Sequence, residues 1–220
     1  MKNIFLAVAI AVFGLSTAQI NKGTVYLSGQ ISYAHEKDNN VNSKKNTVII
    51  MPTAGFFVAP NLAVGAGVGY VNTKFTKDET INGEAGVFRF NNINEQSAFR
   101  IAPFVRKYWT LSEKLFLFTQ LEVPIEFGRE EFEAHSSFVG TFGNYAFNDN
   151  SGKTKFTTVG VNIKPGLDYF LNKNWSIEAT LGEFGYNNYK VNDTDYSKDT
   201  YNLAVNLASI GIGIKYVFAK

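Results

Sequence analysis

LFLFTQLEVPIEF, residues 115–127, alternates oil and charge along its length. Leu115, Leu117, Leu121, Val123, Ile125 and Phe127 make its odd positions apolar, with Thr119 the one interruption, while Gln120, Glu122 and Glu126 stand at even positions. Successive side chains on a strand point to opposite sides, so the stretch reads as a strand with one oily and one charged face. Its length is about twice that of a typical globular strand and roughly that of a tilted strand crossing a hydrocarbon layer.

The same alternation recurs on both sides of it. Upstream, a first strand sets Val25, Leu27, Gly29, Ile31 and Tyr33 against Thr24, Tyr26, Ser28, Gln30 and Ser32. A second, residues 47–58, carries Val48, Ile50, Pro52, Ala54, Phe56 and Val58 on one face. A third, residues 62–75, sets Leu62, Val64, Ala66, Val68 and Tyr70 against Ala63, Gly65, Gly67 and Gly69, and a fourth, residues 98–109, sets Phe99, Ile101, Pro103, Val105 and Trp109 against Arg100, Ala102, Phe104, Arg106 and Tyr108. Downstream, a sixth strand over residues 155–170 lines up Val159, Val161, Ile163, Pro165, Leu167 and Tyr169. A seventh starts at Trp175 with Ile177, Ala179 and Leu181 and loses its phase beyond Gly182. The eighth ends the chain with Ile210, Ile212, Ile214, Tyr216 and Phe218; Leu203, Val205 and Leu207 have the opposite parity, which predicts a bulge near Ala208 or a late start.

Polar connections at residues 35–45, 76–96, 129–153 and 187–199 are long, and those at 59–61, 110–114 and 171–174 are short. Long and short alternate. That is the signature of an eight-stranded antiparallel up-and-down β-barrel with its long loops at one end, and not of a Greek-key sandwich. No segment of helical period interrupts the series.

Composition agrees. The 220 residues are 45% hydrophobic and 15% aromatic, with 20 Phe and 11 Tyr, which favours strands and excludes disorder. Lys+Arg 21 against Asp+Glu 19 gives +2 with no block of like charge, so nucleic acid is not expected as a partner. Residues 1–18 read as a signal peptide: Lys2 is the positive start, residues 4–15 the apolar run, and Ser16-Thr17-Ala18 the cleavage site, which makes residues 19–220 the barrel domain. There is no cysteine, hence no disulfide, thiolate metal site or lipid-bearing cysteine.

Alternation alone leaves open which face is inside, since a soluble lipocalin-like carrier would turn the apolar face inward. The less apolar face mixes Gly65, Gly67, Gly69, Gly160, Gly166, Gly211 and Gly213 with Phe104, Tyr108, Phe116 and Phe118, which suits a crowded lumen better than a solvated surface. The apolar face ends in aromatics. Phe56, Trp109, Tyr169, Trp175, Tyr216 and Phe218 fall at the short-turn end, and Tyr33, Tyr70, Phe99 and Phe127 at the long-loop end. Ten steps from Phe99 to Trp109 span roughly 25 Å along a tilted barrel, about the height of an outer-membrane apolar band. The apolar face is therefore expected to meet lipid, and the lumen to hold Arg100, Arg106, Glu122, Glu126, Lys164, Asp168, Glu178 and Lys215. Folding the fourth and fifth strands about Ser112 puts Arg100 opposite Pro124, with Glu122 and Glu126 on the diagonals, and predicts a carboxylate clamp on the guanidinium.

On these features the chain resembles the small outer-membrane β-barrel domain family, OmpA/OmpX-like in architecture. The carriers are the signal peptide, the eight amphipathic strands, AFRIAPFVRKYW at 98–109, the tight turn Ala59-Pro60-Asn61-Leu62, and GIGIKYVF at 211–218. The last resembles the aromatic ending by which the outer-membrane assembly machinery recognises its clients, except that Ala219-Lys220 follow Phe218. The resemblance implies the outer membrane of a Gram-negative bacterium as location and outer-membrane lipid, the assembly machinery and an unknown extracellular partner of the loops as partners. Barrels of this kind serve as anchors, adhesins, pores and lipid-modifying enzymes, so fold does not give function.

Two histidines, His35 and His135, are present. His135 and Ser137 share a strand face with Glu133, the arrangement a lipid-deacylating barrel would need, but a polar loop yields such a pair readily by chance. Glu126, Glu130, Glu131, Glu133 and Asp149 match no calcium-loop spacing. No cofactor, metal or catalytic set is expected. The favoured reading is a structural or surface-interaction barrel with a filled lumen; a narrow porin is the alternative.

Overall fold

The computed structural model describes residues 19–143, 145–202 and 210–218. The signal-peptide reading of residues 1–18, the expected bulge near Ala208 and the Ala219-Lys220 ending lie outside them. Among the described residues eleven strands form in chain order: β1 (Val25–Asp38), β2 (Ser43–Ala59), β3 (Leu62–Gly83), β4 (Gly86–Thr110), β5 (Leu115–Glu122), β6 (Ile125–Gly140), β7 (Tyr145–Phe170), β8 (Trp175–Thr180), β9 (Phe184–Val191), β10 (Ser197–Asn202) and β11 (Gly211–Phe218). They occupy eight places around a ring. β5 and β6 follow one another along the β4–β7 gap, β8 and β9 lie along β7, and β10 and β11 lie along β9 and β8. β11 also pairs with β1, from Val25↔Phe218 to Ser32↔Gly211, and so closes the barrel. Closure leaves no unpaired edge where the wall crosses hydrocarbon, as a spanning sheet requires.

The oily face is outside. Ile31 and Ile212, direct partners across the closing seam, are each 60% exposed, while Tyr26, Phe57 and Phe118 point inward and are fully buried. This excludes the lipocalin-like alternative, in which the inward set would be apolar and the outward set solvated. The mixture of glycine and aromatic residues has a direct cause: the Phe104 ring lies where a Cβ on Gly65 would be, and the Phe118 ring where one on Gly166 would be.

Four stretches expected as loops are folded instead as hairpin extensions of the wall. The β3–β4 ladder continues past the Tyr70↔Phe99 pair to Gly83↔Gly86, thirteen residues further, or about 43 Å along the strand. β6 and β7 extend beside it to Val139↔Tyr145, and β4 pairs with β6 as far as Gly86↔Gly140, so β3, β4, β6 and β7 make one four-stranded arm above the barrel. Period-2 alternation is visible in a sequence only when one face is consistently apolar, and the arm mixes polar residues with apolar ones such as Phe88, Phe132, Tyr145 and Phe147 on both faces. Its β3–β4 turn is marked all the same: Gly86 has φ +146°, a conformation that excludes larger residues.

Two further departures concern register. The hairpin between β4 and β5 centres on Glu113, with Thr110↔Phe116 and Leu111 N–H donating to the Leu115 carbonyl at 2.8 Å. A centre one residue past Ser112 shifts every partner by two, so Arg100 faces Glu126 directly. The phase lost beyond Gly182 is a bulge: β8 pairs with β7 as Thr180↔Gly166 and β9 as Phe184↔Ile163, one residue out of step, with Gly182 at φ +128° absorbing the slip.

Candidate functional site

From the short-turn end upward, the lumen begins with an aromatic floor. Tyr26, Phe57, Tyr108 and Phe118 stack in sequence with ring centroids 5.7, 5.5 and 5.9 Å apart. Ile20 and Val217 close against them from below. Ile20 is held by a reciprocal pair, its N–H donating to Asn61 Oδ1 at 2.8 Å and its carbonyl accepting from Asn61 N–H at 3.1 Å. Asn61 can do this because it occupies the left-handed region, φ 59°, in the two-residue turn after Ala59.

Above the floor the charges form a ladder of pairs. Lys215 and Asp168, both completely buried, are ion-paired, and Lys215 Nζ also donates to Tyr108 Oη at 3.4 Å. Arg106 is gripped from four sides: its Nη1 donates to Glu178 Oε2 at 2.6 Å and Tyr108 Oη at 3.2 Å, its Nε donates to Gln120 Oε1 at 2.8 Å, and its Cζ lies 4.3 Å from the Phe118 ring centroid. Ser28 donates to the other Glu178 oxygen at 2.8 Å. Gln120 passes the chain on to Glu122 Oε2 at 2.6 Å; Lys164 Nζ lies 2.5 Å from Glu122 Oε1 and 3.1 Å from Glu183 Oε2. Arg100 Nε donates to Glu126 at 2.7 Å. The structure thus brings all eight charged residues singled out in the sequence to the lumen, but the clamp on Arg100 has one carboxylate, Glu126, because Glu122 is turned to Lys164. Tyr26, Ser28 and Gln120, which alternation puts on the inward face, complete the set together with Phe57, Asn162 and Glu183, which the sequence did not single out. The bulge at Gly182 turns Glu183 inward, and the uncharged Phe57 and Asn162 carry no signal of their own.

Between Arg106 and Arg100 the ladder borders a cavity of about 180 Å³, lined among others by Gln30, Thr53, Glu122, Lys164, Glu178 and Thr180.

The aromatic residues of the outer face fall where parity puts them. Tyr33, Phe56, Tyr70, Phe99, Phe127, Tyr169, Trp175 and Phe218 are exposed on the outside of the wall. Trp109 and Tyr216 are half-buried, Tyr216 because it packs edge-on against both Trp175 and Phe218 at 4.9 Å.

Higher up, His135 lies on the outward face of the arm. Its Nδ1 contacts Asp149 Oδ1 at 2.8 Å, and its Nε2, the atom that would have to activate a serine, lies 3.9 Å from Glu133. Ser137 is flanked instead by Arg89 and Phe147. Among the described residues no group of three or more His, Asp or Glu side chains is placed to hold a metal ion. Where the arm joins the barrel, burial would raise the Glu130 carboxyl, but hydrogen bonds from Tyr189, Asn94 and Gln96 outweigh it and hold the group below its ordinary value of 4.5. A carboxyl depressed by folding contributes its stabilisation above the unfolded value and loses it as pH falls through the folded one. The urea midpoint of the wild type should accordingly fall more steeply than that of Glu130→Gln on acidification from neutral to about pH 3. Parallel acid limbs would show that Glu130 contributes nothing at this junction.

A closed antiparallel ring with an oily exterior, aromatic ends and a paired-charge interior is an outer-membrane barrel. The sequence matches the family model of the outer membrane protein beta-barrel domain over residues 5–208, and the chain belongs to that family. Family and fold place it in the bacterial outer membrane. Similar solved structures include the N-terminal β-barrel domain of Pseudomonas aeruginosa OprF (11% identity over 90% of this chain and 100% of that one, TM-score 0.38) and Neisserial surface protein A (13% over 89% and 99%, TM-score 0.36). Ail, the attachment invasion locus protein of Yersinia pestis, is 14% identical over 90% of this chain and 99% of its own, TM-score 0.27. No curated protein matches the chain.

Proposed function

We infer that the protein is a non-enzymatic outer-membrane anchor that holds an interaction surface outside the cell. The observation that carries this reading is the arm. A four-stranded sheet standing about 43 Å along its strands beyond the girdle cannot contribute to the membrane seal, and it ends in exposed aromatic side chains, with Phe142 95% exposed and Phe147 and Tyr145 beside it. Large exposed apolar groups on a rigid polar support mark a contact surface for another protein. Long strands lie outside and short turns in the periplasm by the usual orientation of such barrels. Export through residues 1–18 and insertion by the assembly machinery through GIGIKYVF belong to the same reading.

The aromatic floor and the ion-pair ladder support a lumen closed to solutes, since eight strands leave an interior filled by side chains. The cavity of about 180 Å³ among charged groups favours a second reading, a narrow porin. One experiment separates them. Purified from outer membranes, the unboiled protein should migrate faster than the boiled one on a denaturing gel and give no steady current in a planar bilayer. A steady current that changes on Arg100→Ala would replace the anchor with the porin, and an absence of heat-dependent migration would remove both.

A further inference from the structure

Just above the outer girdle, the wall carries a set of cations without counter-ions. Arg129 and Lys155 are direct cross-strand partners on the outward face, and Asn192 is next to Lys155 on β9's side. Lys190, two residues back on the same face as Asn192, lies diagonal to Lys155. Like charges set directly opposite one another destabilise a sheet unless something anionic lies between them. Yet the two carboxylates that line the same depression are engaged elsewhere: Glu131 with Lys153 at 3.0 Å, and Glu95 with Asn72 at 2.9 Å and Lys74 at 4.0 Å. Among the described residues, Arg129, Lys155 and Lys190 have no ion-pair partner within 4.0 Å. The site is a depression of about 630 Å³, floored on its membrane side by Tyr70, Phe99 and Phe127. Uncharged donors complete it. Asn192 Oδ1 is occupied by Thr157 at 3.1 Å, which leaves its amide N–H groups free, and Ser97 Oγ accepts from Asn72 at 3.0 Å and keeps its own proton to donate.

We propose that this depression binds a phosphomonoester-bearing lipid of the outer leaflet. The phosphate bridges Arg129 and Lys155, Lys190 adds a third positive charge, and the acyl chains lie on Phe99 and Phe127. The height supports a lipid over a soluble anion: Arg129 is two residues beyond Phe127, about 7 Å along the strand, where hydrocarbon gives way to headgroups. A dianionic head resolves the repulsion that an isolated sheet would have to tolerate.

This inference rests on the outer-membrane reading, so the test keeps the two apart. The full-length protein, folded in detergent, is titrated with lipid A and with dephosphorylated lipid A, and bound lipid is counted by native mass spectrometry. Arg129→Gln with Lys155→Gln should weaken lipid A binding roughly twenty-five-fold, at about fivefold per cation, and leave dephosphorylated lipid unchanged. Both positions are exposed, so the variant should keep its heat-dependent migration. Inorganic phosphate in excess should not displace the lipid. Equal binding of the two lipids, or an unaffected double variant that still migrates as a barrel, overturns the proposal while the anchor stands. Full displacement by inorganic phosphate also overturns it, in favour of a soluble anion. Loss of heat-dependent migration in the wild type defeats the anchor and the lipid site together.

Discussion

Asp168→Ala should cost about 3–5 kcal/mol, because it leaves the Lys215 ammonium buried without its counter-ion. Lys215 and Asp168 are both inaccessible to water, and after the substitution Tyr108 Oη at 3.4 Å is the one hydrogen-bond partner left to the ammonium among the described residues. Against a total of about 5–15 kcal/mol for a typical domain, that is enough to reduce folded yield visibly. The ion pair itself need not be stabilising relative to oil. Asp168→Leu combined with Lys215→Met should recover most of the loss or exceed the wild type, since hydrophobic replacements of buried pairs are often neutral or better. Urea midpoints of the three proteins, read from the heat-dependent gel shift, test this. If Asp168→Ala costs less than about 1 kcal/mol, water reaches the floor and the pair behaves as a surface one.

Arg106→Ala should have an effect of similar size, about 3–5 kcal/mol, with an additional electrical consequence. It strips Glu178 of its 2.6 Å partner, Gln120 of its 2.8 Å donor and the Phe118 ring of its stacked cation, directly above the floor. Removing that side chain joins the cavity above to whatever space Tyr108 and Phe118 leave, so single-channel current should appear where the wild type shows none. Arg106→Lys keeps the charge but cannot fork to Gln120, Tyr108 and Glu178 at once, and should lie between the two. A cycle with Glu178→Gln isolates the ion pair. Because Tyr108 touches both Arg106 and Lys215, losses at the two pairs should not add. Wild-type stability in Arg106→Ala would mean that Ser28 and solvent suffice for Glu178.

The ring, its inside-out polarity and the lumen charges were legible because a spanning wall must show lipid an unbroken oily face. That constraint writes Leu27, Ile31, Val159, Val161, Ile212 and Ile214 into the sequence at period two. It stops at the girdle. Beyond Phe127 or Tyr70 water meets both faces, so residues 76–96 and 129–153 read as loops although they pair rung by rung. The Arg100 partner was misplaced for a smaller reason: turn centres are set by hydrogen bonds such as Leu111 to Leu115, and one residue there moves every partner by two. Glu183 was missed because the bulge at Gly182 reverses parity, a slip of one residue that periodicity cannot locate. The Arg129–Lys155 pair needs the register of β6 on β7, and 26 residues of separation hid it.

The closing seam has a bearing on biogenesis. Its rungs join Val25 to Phe218, the most distant pairing in the wall, so the loop that must close is nearly the whole chain. The rungs within the membrane that do not involve β11 can form before it is made, yet without β11 the edges of β1 and β8 leave two rows of amides facing hydrocarbon at several kcal/mol each. A chain that stops short of β11 therefore yields a product the bilayer itself rejects, and the eight residues of β11 decide whether the wall can stay in the membrane.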